Sequence, residues 1–269
     1  MIEYGMPNLV ECKDIDECAL LCHRLGLQFI EINQSFPKYQ PTDMDVSHLL
    51  ELKNRYGIGY SIHLDEAMNP LDFNDKVAEV YRNNAVESIE FAKALGITKL
   101  NLHLLRGIYV TLPEKRIFLN DVYENEYLDK VRLFRSTCER AIGESGIKIC
   151  IENTDDPFIP CHRKAIPLLL ESPVFGLTLD TGHDHASNHA DLDFFQSNQQ
   201  RLCHVHLHNC RGKSPHLPLD DGDVDIEGML NLVKKTGADC VIEVKTVAGL
   251  EQSVEWLKQR RSITEYNVL

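Results

Sequence analysis

Six short apolar segments of this chain carry or end on a histidine or an acid. They read Ser61-Ile62-His63, Asn101-Leu102-His103, Ile151-Glu152-Asn153, Leu179-Asp180-Thr181-Gly182-His183, His204-Val205-His206-Leu207-His208 and Ile242-Glu243. Carboxylates gathered at one place repel and shift each other's pKa, and buried carboxylates with no cation are costly. A divalent cation resolves both problems. Two glutamates, one aspartate and one histidine form a hard, mixed oxygen and nitrogen set, suited to Mn²⁺, Mg²⁺, Co²⁺ or Zn²⁺. Alternation along the 202–208 segment puts His204, His206 and His208 on one side of a strand. Only the histidine at the right height can ligate. His204 reads equally as a core histidine.

The elements that must hold these residues alternate in type. Strands are expected at 2–5, 29–33, 58–64, 97–104, 147–152, 174–180, 202–208 and 240–245. Helices are expected at 14–25, 46–56, 75–95, 126–144, 162–171, 191–200, 226–235 and 250–260. Gly26, Gly57, Gly96 and Gly237 stand where helices stop. Several strands are apolar on successive residues, as parallel strands buried on both faces should be. Eight strand–helix alternations in 269 residues favour an α/β chain folded as a single (β/α)8 TIM barrel over a doubly wound sheet. No linker or composition shift marks a second domain, so residues 1–269 are expected to form one. The longer loops follow the second, third, fourth and seventh strands, at the mouth where barrel active sites are built.

Composition narrows the partners. Apolar residues make up 43% and charged residues 26% of the chain, and the net charge is −13. Neither nucleic acid nor a membrane surface is an expected partner for so acidic a chain. No stretch approaches 18 uncharged apolar residues. The N-terminus carries Glu3, Glu11, Asp14, Asp16 and Glu17 rather than a basic run before an apolar one, so no signal peptide is read. Nine cysteines without a CxxC pair read as reduced thiols filling the core of a cytoplasmic protein.

Four stretches, in order, extend the pattern: Ile151-Glu152-Asn153-Thr154, Leu179-Asp180-Thr181-Gly182-His183, His204-Val205-His206-Leu207-His208-Asn209 and Leu219-Asp220-Asp221-Gly222-Asp223-Val224-Asp225. With them the chain resembles the xylose isomerase-like barrel superfamily over essentially its whole length. That group contains sugar isomerases, ketose epimerases, inosose dehydratases and abasic-site nucleases of the endonuclease IV type. The resemblance implies Glu152, Asp180, His206 and Glu243 as metal ligands, with Glu152 and Glu243 also serving as acid and base. It implies His183 as a substrate-binding histidine, or as a ligand of a further metal in the nuclease branch. His63 and His103 match the nuclease histidines that hold an additional zinc, and otherwise read as substrate contacts. His216 resembles the nuclease histidine preceding an SLGEG-like segment. Three departures stand against the nuclease, one of them Asp220 where that segment's first glycine is common. Ser214 replaces an aspartate of its third zinc site, for which His185 or Asp184 is the available substitute. The loops after the second and third strands lack the arginine and tyrosine that the nuclease wedges into DNA.

The reading that follows is a divalent-metal-dependent sugar isomerase or epimerase acting on a small polyhydroxy carbonyl compound, with Mn, Co or Mg as the cofactor. The alternative is a zinc-dependent endonuclease IV-like phosphodiester hydrolase, an AP endonuclease. A non-enzymatic binding protein is the third. No P-loop or glycine-rich phosphate cradle is present, which favours an unphosphorylated substrate. A homodimer is a family-level expectation. The simpler readings make His185 and His189 exposed loop histidines, Asp220 to Asp225 a solvated turn and Trp256 a packing residue. Lys245 faces either the mouth or the helix layer.

Overall fold

The computed structural model describes residues 2–266, with side chains from Ile2 to Arg260. Its centre is a closed barrel of eight parallel strands. In chain order these are β1 Tyr4–Pro7, β2 Phe29–Asn33, β3 Gly59–His63, β4 Lys99–His103, β5 Lys148–Glu152, β6 Phe175–Asp180, β7 Leu202–Leu207 and β8 Asp239–Ile242. Each pairs with its neighbours in sequence, and β8 closes on β1 with Cys240 opposite Tyr4.

Helix boundaries follow local chemistry. Asp14 accepts the Glu17 N–H to start helix Ile15–Leu25, and Asn74 accepts the Lys76 N–H to start Asp75–Leu95. Gly26 and Gly96 end these helices at φ 75° and 67°, in the left-handed region that a residue with a Cβ adopts at a cost.

Alternation along the strands sorts the core into two layers. Ile30, Ile32, Ile62, Leu100, Leu102, Ile149, Ile151, Leu177, Leu179, Val205 and Leu207 are buried against the helices. The intervening residues meet one another across the lumen. These include Glu31, Ser61, Asn101, Glu152, Asp180, His204 and His206, and all are buried. Both strand faces are thus buried, as expected, but the lumen is polar. A barrel lumen is ordinarily filled by branched apolar side chains. The exception lies beneath the candidate site.

Several boundaries differ from the expectation. The first strand starts two residues later, because the Cys240 N–H bonds to Glu3 O and the ladder runs from Tyr4. The eighth strand stops at Ile242, and the last helix starts at Val247. A short helix, Thr181–Ala186, begins directly after β6 because Asp180 caps it. The longer loops after β4 and β7 each contain an antiparallel hairpin: Tyr109–Thr111 with Arg116–Phe118, and Asn209–Arg211 with Ser214–Leu217. All nine cysteines are free, eight of them buried and Cys203 half-buried. Trp256 packs against the core. No helix among the described residues is long and apolar enough to cross a membrane.

Candidate metal centre

Glu152 ends β5, Asp180 ends β6, His206 lies near the end of β7 and Glu243 follows β8. Each offers a ligand atom within 4.8 Å of the others, and all four residues are buried. His206 Nδ1 is the hub. It lies 2.9 Å from Glu152 Oε1, 3.1 Å from Glu243 Oε2 and 3.9 Å from Asp180 Oδ2. One ring nitrogen cannot serve three carboxylates. Glu243 Oε2 is buried and finds no hydrogen-bond partner among the described residues. Buried polar atoms are rarely left so. A divalent cation among these four groups would satisfy that oxygen and offset the carboxylate repulsion, so the residues fit a hard metal ion.

Backbone chemistry fixes Asp180. Its Oδ1 accepts the His183 N–H at 2.7 Å, as the cap of helix Thr181–Ala186. The Asn153 side chain clamps its main chain, donating to Asp180 O at 2.9 Å and accepting from Asp180 N at 2.8 Å. His208 Nε2 donates to Asp180 Oδ2 at 2.9 Å. The His208 ring passes over Gly182 so closely that a Cβ there would overlap it.

Two histidine groups flank the centre. His63 and His103 converge on Glu152 Oε2, with Nε2 atoms at 3.5 and 2.8 Å. The Asn101 amide also donates to this oxygen. His183, His208 and His216 form the second group. His216 stacks on His208 at 4.3 Å and stands edge-on to His183 at 5.1 Å. It is held at φ 60°, unusual for a residue with a Cβ, and its N–H donates to His208 Nδ1 at 2.8 Å. The structure corrects the expected substitute for the aspartate that Ser214 replaces. Asp184 is taken by His189 at 2.6 Å and His185 packs edge-on to His189. His208 completes the trio instead.

Below the hub lies a residue that sequence reasoning missed. Glu31, on β2, accepts from His204 Nε2 at 2.9 Å and from Ser61 Oγ at 3.2 Å. Its Oε1 is 2.9 Å from His206 Nε2, close enough for an ion pair but out of hydrogen-bond alignment. His204 Nδ1 also meets Asp239. The available signal was one carboxylate within the apolar run Phe29-Ile30-Glu31-Ile32. Lys245 faces the mouth, with Nζ 2.6 Å from Glu243 Oε1.

Burial alone would neutralise these groups, but the opposed charges win. Burial pushes Glu152 up, yet the His206 and His103 charges hold it well below the usual carboxylate range. Burial pushes His206 down, while Glu152, Glu31 and Glu243 hold it well above its ordinary value. His63 is likewise lowered by burial but raised by Glu152, to about 9. His216 goes the other way, because burial dominates and takes it down to about 4.

A cavity of about 580 Å³ opens over the centre. His63, His103, His183, His216, Glu243 and Lys245 line it, with Asn33 from the end of β2 and Phe36 and Glu66 from the loops after β2 and β3. Asn33 donates to Glu66 Oε1 at 2.8 Å. The cavity is concave, mixes polar and apolar surface, and is large enough for a small molecule.

Comparison with known proteins agrees with this architecture. A family model described as xylose isomerase-like TIM barrel matches residues 19–260. A D-tagatose 3-epimerase-like protein superposes with a TM-score of 0.78 at 23% identity, covering 100% of both chains. A 3-keto-D-glucoside 4-epimerase from E. coli gives 0.75 at 15% identity, covering 96% of this chain and 100% of its own. An IOLI protein with a bound zinc atom gives 0.67 at 18% identity, covering 99% and 98%. At these identities the solved structures establish the fold. No curated protein sequence matches.

Proposed function

Because the chain belongs to the xylose isomerase-like TIM barrel family, we propose that it is a divalent-metal-dependent isomerase or epimerase of a small polyhydroxy carbonyl compound. The observation that carries this reading is the buried quartet Glu152, Asp180, His206 and Glu243 around one point, with Glu243 Oε2 lacking a hydrogen-bond partner among the described residues. A D-tagatose 3-epimerase-like protein and a 3-keto-D-glucoside 4-epimerase share the fold, which supports a sugar-like substrate.

These four residues would hold the cation. Bound there, it supplies Lewis-acid polarisation of a substrate carbonyl, which acidifies the neighbouring C–H. Glu152 ends β5 and Glu243 follows β8, two strands that lie three apart around the barrel. One carboxylate takes the α-proton and the other returns one, on the opposite face for epimerisation. In the free protein both are held ionised against burial, as the accepting carboxylate requires. The returning carboxylate must carry a proton taken up before the exchange, and the accepting one gives its proton up afterwards to complete the cycle. Lys245 pairs with Glu243 Oε1 and orients it. His183 and His216 line the wall where substrate hydroxyls would bind.

The test is a panel of ketoses and aldoses with protein stripped by a chelator and reloaded with Mn²⁺, Co²⁺ or Mg²⁺. Metal-dependent interconversion of one sugar pair, lost in Glu152→Gln and Glu243→Gln, supports the reading. No turnover by any metal-loaded sample contradicts it.

One observation favours a second reading. His63, His103 and Glu152 on one side, and His183, His208 and His216 on the other, each bring three ligand atoms together. Such a row suits several zinc ions and phosphodiester hydrolysis. Two or three Zn²⁺ per chain, with cleavage of abasic-site DNA, would replace the isomerase reading.

A further inference from the structure

A connected row of polar groups, half-buried at Lys99 and Asp239 and buried from His204 onward, runs through the lumen beneath the candidate cation site. Lys99 Nζ lies 3.4 Å from Asp239 Oδ2. Asp239 Oδ1 meets His204 Nδ1, and His204 Nε2 bonds to Glu31 Oε2 at 2.9 Å. Glu31 Oε1 lies 2.9 Å from His206 Nε2, and His206 Nδ1 lies 2.9 Å from Glu152 Oε1. The row starts where β4 and β8 begin and ends at the hub of the candidate metal centre. Burying ionic groups costs desolvation that apolar packing avoids, so a row through the lumen calls for a reason.

We propose that Glu31 is a positioning residue for His206. It accepts the Nε2 proton and so fixes the tautomer whose Nδ1 lone pair points at the cation. This rests on the reading of Glu152, Asp180, His206 and Glu243 as a cation site. A neutral imidazole has one N–H and one lone pair, and a metal takes the lone pair. His206 Nδ1 faces Glu152, Glu243 and Asp180, while Nε2 faces Glu31. Oε1 stands at hydrogen-bond distance from Nε2 but out of line with it, so the two have to turn into line when Nδ1 gives its lone pair to the cation. The other oxygen of Glu31 is already anchored by His204 and Ser61, so the carboxylate cannot swing away. Metal-bound histidines usually donate their second N–H to such a group, which fixes ring orientation and raises ligand basicity.

The experiment measures Zn²⁺ affinity by competition with a chromophoric chelator, for the wild type, Glu31→Gln and Asp239→Asn. Glu31→Gln is expected to weaken Zn²⁺ binding about 10–100-fold, as loss of such a partner does elsewhere. It should also shift the visible spectrum of the Co²⁺-loaded protein. Asp239→Asn disturbs the same row without touching His206, and its affinity should stay within about threefold. Equal weakening in both variants would mean that the row only stabilises the fold, and would overturn the proposal. Should Glu31→Gln fail to fold, ¹⁵N NMR of Zn²⁺-loaded wild-type protein decides. A His206 ring protonated at Nε2 and metal-bound at Nδ1 is expected, and the opposite tautomer refutes the assignment. Wild-type protein that takes up no metal overturns the underlying reading together with this one. Metal binding that is indifferent to Glu31 overturns this one alone.

Discussion

Replacing Asn153 with alanine removes the clamp on Asp180 and leaves the fold's apolar packing almost intact. The amide makes two buried hydrogen bonds to one residue, 2.9 Å to Asp180 O and 2.8 Å from Asp180 N. A buried main-chain group that loses its partner costs about 1–3 kcal/mol. Two such groups give about 2–6 kcal/mol, lower if water enters the space left by the side chain. The same change frees the main chain that aims the Asp180 carboxylate, so metal affinity should fall about 10-fold or more. Urea unfolding of chelator-treated protein reads the first quantity, and a Zn²⁺ competition titration reads the second. A loss of stability below about 1 kcal/mol together with unchanged metal affinity would refute the idea that Asn153 holds Asp180 in place.

Two further substitutions test other parts of the account. Gly182→Ala places a Cβ where the His208 ring now lies, so His208 must leave Asp180. The cost is expected at about 1–3 kcal/mol by urea unfolding, and an unchanged midpoint would show that the ring is not held there. His162 tests the pH dependence of stability. It is buried and bonds through Nε2 to Leu105 O at 3.2 Å, and burial takes its pKa down to about 4. The unfolded chain therefore takes up this proton near pH 6.5, before the folded one does. Stability from this group is intact above about pH 6.5 and falls until about pH 4, by about 3 kcal/mol. His162→Gln does not titrate and should lose that much less over the same range. Parallel pH profiles for the two proteins would contradict the assignment.

Much of the fold was legible because its boundaries are local. Asp14, Asp45, Asn74 and Asp225 cap helices with their own side chains, and glycines end several of the same helices. The ends of β3 to β7 could be read for chemistry because parallel strands deliver their last side chains to one mouth. Other features depend on closure of the barrel. Glu31 looks like one residue of a buried strand until β2 stands across the lumen from β7. His208 lies beyond β7, and its contact with Asp180 depends on how the chain turns into the second hairpin. That hairpin did carry a local sign in Gly212-Lys213, with Gly212 at φ 60°. The first hairpin turns at Leu112-Pro113-Glu114-Lys115, which carries no two-residue turn signal of that kind.

The central claim is that Glu152, Asp180, His206 and Glu243 hold a divalent cation. Its most direct test is the metal content per chain after chelation and reloading, by elemental mass spectrometry, for the wild type and Glu243→Gln. Glu243 is the informative position, because its Oε2 finds no hydrogen-bond partner among the described residues. The account predicts at least one tightly held ion per wild-type chain and its loss from the variant on gel filtration. A wild-type chain that retains no metal, or a variant that retains as much as the wild type, would contradict it.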